Sequence, residues 1–125
     1  NDPTDAAAAN YLGYMWADRG VRLEEALEFI TVAVTAEPDN SAYLDSLGWV
    51  YYRLGAMEEA EHWLRRSVEL NDGDGTVLAH LGEVLVATGR TEEGIRLLRL
   101  ALDRGCEDPE HVRALLDRVQ DARGD

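Results

Sequence analysis

The stretch Tyr43–Gly55, YLDSLGWVYYRLG, decides how the chain is read. Leu44, Leu47 and Tyr51 recur at helical spacing and so share one face of a helix. Gly48 sits inside that helix, where a glycine costs about 1 kcal/mol relative to alanine. A cost of that kind is tolerated when another backbone must come close. Working outward, Ala60, Leu64 and Val68 mark a second helix, and Gly48 opposite Ala60 is where the two are expected to cross.

The pattern returns on both sides. LGY, LGW and LGE place Gly13, Gly48 and Gly82 at separations of 35 and 34 residues. Ala26 should face Gly13, and Gly94 should face Gly82. Gly20, Gly55 and Gly89 stop each first helix, as residues that accept left-handed dihedrals do. Glu24-Glu25, Glu58-Glu59 and Glu92-Glu93 open each second helix, where carboxylates complement the positive end of the dipole. Pro38 and the run Asn71–Gly75 separate successive copies. The spacing predicts helices near 5–18, 23–36, 41–54, 57–71, 76–88, 91–104 and 109–122.

A period of 34 with Leu-Gly, Tyr and Ala at these offsets resembles the tetratricopeptide repeat (TPR) family. The resemblance covers about 100 of the 125 residues. It implies an all-α, right-handed α-solenoid of three helix pairs plus a C-terminal capping helix. The expected boundaries within 1–125 are 6–40, 41–74 and 75–107 for the repeats and 108–123 for the cap. The cap begins Asp108-Pro109 and shows Val112, Leu115, Leu116 and Val119 on one side, charges on the other. Pro3 precedes the first copy as Pro38 precedes the second. It is therefore read as the close of an earlier repeat, making the segment the C-terminal part of a longer array. The Tyr43–Gly55 stretch and its neighbours also resemble the C-terminal repeats of bacterial TPR proteins, several of them scaffolds at the cell envelope. No targeting signal assigns a compartment.

Composition narrows the function. Twenty-five acidic against twelve basic residues give a net charge of −13, which repels phosphate backbones and argues against nucleic acid as a partner. All twelve bases are Arg; codon usage in a GC-rich genome and adaptation to high salt both remain open explanations. No apolar run nears the roughly 20 residues that span a bilayer, so direct membrane insertion by this segment is not expected. Cys106 is the sole cysteine and is read as an inert thiol.

Catalytic and metal motifs fail one by one. Asp72, Asp74 and Glu83 mimic part of a calcium loop, but Val77 stands where glycine is required. His80 and Glu83 share a helix face without a third ligand nearby. There is no G-x-S-x-G, H-E-x-x-H or P-loop. The expectation is no enzyme, no metal and no cofactor.

In the family, the first helix of each pair lines the concave side where peptides lie. The resemblance therefore implies a partner-binding row of Asn10, Tyr14, Asp18, Asp45, Trp49, Tyr52, Arg53, His80 and Glu83, with Thr76 and Ala79 beside them. Trp49 and Tyr52 fall off the buried stripe, so either they form a binding hot spot or they fill the seam between repeats. Some family members clamp acidic chaperone tails with Lys, Asn and Arg. The corresponding residues here are Asn10, Tyr14, Ser46, Thr76 and His80, of which only Asn10 agrees. The expected partner is thus an apolar, aromatic or basic protein segment rather than an acidic one. The alternative is a purely structural segment that extends or caps an array, or self-associates.

Overall fold

The computed structural model describes residues 5–122 and 124; Pro3 lies outside them. Seven α-helices and no strands occur among the described residues. They fall into two compact units that divide after Leu70. The first holds α1 (Ala6–Arg19), α2 (Leu23–Ala36), α3 (Ser41–Arg53) and α4 (Met57–Leu70). The second holds α5 (Gly75–Ala87), α6 (Thr91–Arg104) and α7 (Pro109–Ala122). The bounds agree with the expected ones to within one residue at every helix end.

Local chemistry explains the bounds. The first helix of each pair starts behind an acidic or amide cap. Asp5 accepts from Ala8 N, Asn40 from Tyr43 N, and Asp74 from Thr76 N and Val77 N. Asp108 does the same for His111 N at α7. Each cap satisfies an N–H that the helix leaves bare, stabilising the start by about 1 kcal/mol. Gly20, Gly55 and Gly89 follow with φ of 72°, 86° and 88°, a conformation that side chains with a Cβ resist.

The helix crossings lie at the glycines. A Cβ placed on Gly48 would come within 2.6 Å of Leu64 Cγ and 3.1 Å of the Ala60 carbonyl oxygen. At Gly13 the obstacles are Ile30 and Ala26, and at Gly82 they are Leu98 and Gly94. Ile30, Leu64 and Leu98 are fully buried, each stabilising its pair by roughly 1.5–3 kcal/mol. The glycine's cost in helix propensity is offset by the side chain it admits.

The 34-residue period runs on into α7, where Val112, Leu115 and Val119 take the places of Leu78, Leu81 and Leu85. Leu116, however, stands in the glycine position. Val112, Leu115 and Leu116 are buried, and the rest of α7 is exposed or half-buried.

The two units differ in core chemistry. All nine aromatic residues lie in the first. Trp16 meets Phe29 edge to face at 5.3 Å with the Arg22 guanidinium over its ring, and Trp49 stacks on Tyr52 at 4.9 Å. The second unit is packed with aliphatic residues such as Leu85, Ile95 and Leu98.

Candidate partner-binding face

On α1, Asn10, Tyr14 and Asp18 are spaced by four residues and form one row. Asp18 is exposed, while Asn10 and Tyr14 are half-buried. Asn10 Oδ1 is buried and accepts no hydrogen bond among the described residues. On α3, Arg53 is exposed and Tyr52 half-buried, whereas Asp45 and Trp49 are only 8% and 4% exposed. Trp49 belongs to the cluster that contains Ala17, Ala26, Ile30, Leu47 and Val50. Of the two readings left open for this aromatic pair, seam filling describes Trp49. Tyr52 rests on the Trp49 ring and keeps part of its surface open.

Arg53 has a structural task besides. Its Nη2 lies 2.6 Å from where a Cβ on Gly20 would stand, so the guanidinium occupies space that only glycine leaves. Gly20 caps α1 at its C-terminal end, where a cation is favoured by the helix dipole.

In the second unit, His80 is 8% exposed. Glu83 Oε1 is 2.9 Å from His111 Nε2, which ties α5 to α7. The Thr76 hydroxyl accepts from Glu107 N at 2.9 Å, and Arg104 donates to the Asp72 carbonyl at 3.0 Å. No group of three His, Cys, Asp or Glu residues able to hold a metal occurs among the described residues. Cys106 is half-buried, and its thiol is pushed above the usual range, chiefly by burial.

One polar contact escaped the sequence reading. Ser41, the first residue of α3, and Ser67, in the last turn of α4, exchange hydrogen bonds. Ser67 Oγ donates to the Ser41 carbonyl at 2.8 Å, and Ser41 Oγ to the Ser67 carbonyl at 3.1 Å. Two antiparallel helices of nearly equal length, 13 and 14 residues, bring such ends together, which is the signal that could have revealed it.

A family model described as "Tetratricopeptide repeat" matches residues 41–71. The chain is 46% identical over 82 residues to the TPR repeat-containing protein PA4667 of Pseudomonas aeruginosa, covering 66% of this chain and 14% of that protein. A solved Thermobaculum terrenum O-GlcNAc transferase mutant is 28% identical with a TM-score of 0.79, covering 93% of this chain and 23% of that one. The first TPR of Spaghetti (RPAP3), bound to the HSP90 peptide SRMEEVD, has a TM-score of 0.81 at 21% identity, with 99% and 97% covered. The repeated glycine crossings, the family match to the second copy and these likenesses agree: the chain belongs to the tetratricopeptide repeat family, whose fold serves as a protein–protein interaction scaffold.

Proposed function

We propose that the chain recruits a protein or peptide partner along the first-helix face of its first unit, where Tyr14, Asp18, Tyr52 and Arg53 offer contacts. The observation that carries this reading is Tyr52, an aromatic ring stacked on buried Trp49 yet only half-buried itself. A ring fixed in advance loses little entropy on binding, the property of a hot spot. Asn10 adds a buried acceptor that a donor on the partner would satisfy. Asp45 and Trp49 support this face from below, and His80 and Glu83 are assigned no direct contact.

The partner favoured is a segment with apolar or aromatic residues and a positive charge, matching Asp18 and the net charge of −13. The Spaghetti domain holds an acidic peptide on the same fold, but the cationic clamp residues are missing here. Fluorescence anisotropy with short peptides tests the reading. Basic-aromatic peptides should bind in the micromolar range and lose about tenfold or more on Tyr52→Ala, with Tm nearly unchanged. No binding by any class, or indifference to Tyr52→Ala, would sink it. Trp49→Ala is the wrong probe, since emptying a core aromatic costs about 3–5 kcal/mol whatever binds.

A second reading, in which the segment extends and caps a longer array or self-associates, is favoured by the exposed Tyr11 ring on α1.

A further inference from the structure

An open cavity of about 350 Å³ lies among α5, α6 and α7, lined by Val86, Thr91, Leu115, Arg118, Val119 and Ala122. Its size falls at the lower end of the range of small-molecule sites, ~300–1,000 Å³. The repeat period explains why space is left there. Aligning Gly82, Gly94 and Leu116 with Gly13, Ala26 and Gly48 gives the same six positions in the first unit. They are Ala17, Leu23, Leu47, Val50, Tyr51 and Leu54. Ala17, Leu47 and Val50 belong to the buried cluster, and Leu23, Tyr51 and Leu54 pack against it.

The crevice that side chains close in the first unit is thus left short of volume in the second. Val119 in place of Tyr51 lacks an aromatic ring, and Ala122 in place of Leu54 keeps only a methyl group. Thr91 stands for Leu23, and Arg118, which is exposed, for the fully buried Val50. Val86 is bulkier than Ala17 but packs against the α6 backbone: a Cβ on Gly94 would lie 2.7 Å from Val86 Cγ2.

We propose that this cavity binds a small aliphatic carboxylate of the medium-chain fatty acid class. The chain takes the place that Tyr51 and Leu54 fill in the first unit, against Val86, Leu115, Val119 and Ala122. The carboxylate meets Arg118, the charged member of the lining, which forms no ion pair among the described residues. A guanidinium offers a carboxylate two parallel N–H donors, a stronger pairing than with a neutral oxygen. The net charge of −13 disfavours an approaching anion, but at physiological salt that field fades over about 8 Å, whereas Arg118 stands at the cavity itself. The site uses none of the residues assigned to a protein partner, and neither reading depends on the other.

Octanoate titrated into the full chain, followed by backbone amide chemical shifts, tests the proposal. Saturable binding is expected, with Kd at or below about 1 mM and shifts centred on α7 and the α5–α6 connection. 1-Octanol carries the same chain without the charge and should bind about fivefold or more weakly. Simple burial of a chain would favour the alcohol instead, because an ionised carboxylate is the costlier group to desolvate. Arg118→Gln should weaken octanoate by a similar factor and leave octanol unchanged. Val119→Tyr and Ala122→Leu, made singly, each restore a side chain of the first unit. Each should weaken octanoate about tenfold or more while Tm holds or rises, which separates a filled cavity from an unfolded one. No saturation by octanoate, equal or tighter binding of octanol, or full binding by either filled variant would overturn the proposal. Shifts centred on the exposed apolar residues Tyr11, Phe29 and Val32 would overturn it as well.

Discussion

The pairs α3–α4 and α5–α6 are built on the same period and close in different ways. In α3–α4, Ser41 and Ser67 bridge the ends of the helices with a reciprocal hydrogen-bonded clasp. The corresponding residues of α5–α6 are Gly75 and Ala101, with no hydroxyl at all. There the backbone itself closes in: a Cβ on Gly75 would collide with the Gly105 carbonyl and lie 3.0 Å from that of Ala101. Thr76 and Arg104 then carry the polar contacts that the serines carry in the other pair. One repeat position can thus be satisfied by side-chain hydrogen bonds at ordinary distance or by backbone contact at short distance. The two solutions are not interchangeable residue by residue.

The largest effects should come from breaking what both pairs share. Gly48→Leu pushes side-chain volume into Leu64 and should cost about 3 kcal/mol or more, unfolding the first unit in urea titrations. Next comes transplanting one solution into the other. Gly75→Ser supplies the hydroxyl of Ser41 but meets the Gly105 carbonyl first, so it should destabilise by about 2–3 kcal/mol rather than form a clasp. A gain in Tm for that variant would refute the distinction.

Removing the clasp is milder. Ser67 is fully buried, and Ser67→Ala should cost about 1–2 kcal/mol. The Ser41→Ala, Ser67→Ala double variant should cost less than the sum of the singles, because each hydroxyl contacts the other at 3.0 Å. Strict additivity would mean the two act separately. The smallest effect concerns Cys106, in the connection after α6. Burial raises its folded-state pKa, so its stabilising share is present below the thiol's unfolded pKa and fades as pH rises through the folded one. Iodoacetamide near pH 8.5 should alkylate the native protein several-fold more slowly than the unfolded chain, and Cys106→Ser should remove the alkaline dependence.

Helix positions, crossings and turns were legible because each rests on interactions close in sequence or repeated through the chain. Gly13, Gly48 and Gly82 announce the crossing three times, and Gly20, Gly55 and Gly89 announce the turns. The caps Asp5, Asn40, Asp74 and Asp108 follow the same spacing. The candidate face was less legible. Whether Trp49 is buried depends on how α3 settles against residues such as Ala17 and Ile30, which no periodicity in α3 specifies. The pairing of Glu83 with His111 joins side chains 28 residues apart in different helices. Arg53 reads as a surface cation until Gly20 is seen beneath it.

The segregation of aromatic residues has a practical consequence. Tryptophan emission and near-ultraviolet dichroism come wholly from residues before Leu70, so both signals are silent about α5, α6 and α7. Far-ultraviolet dichroism sums all seven helices. Recorded together on one sample, the two spectroscopies form a built-in two-channel readout. Superimposable melting curves would mark a single cooperative transition, and separated ones would date the loss of each unit without any label being attached.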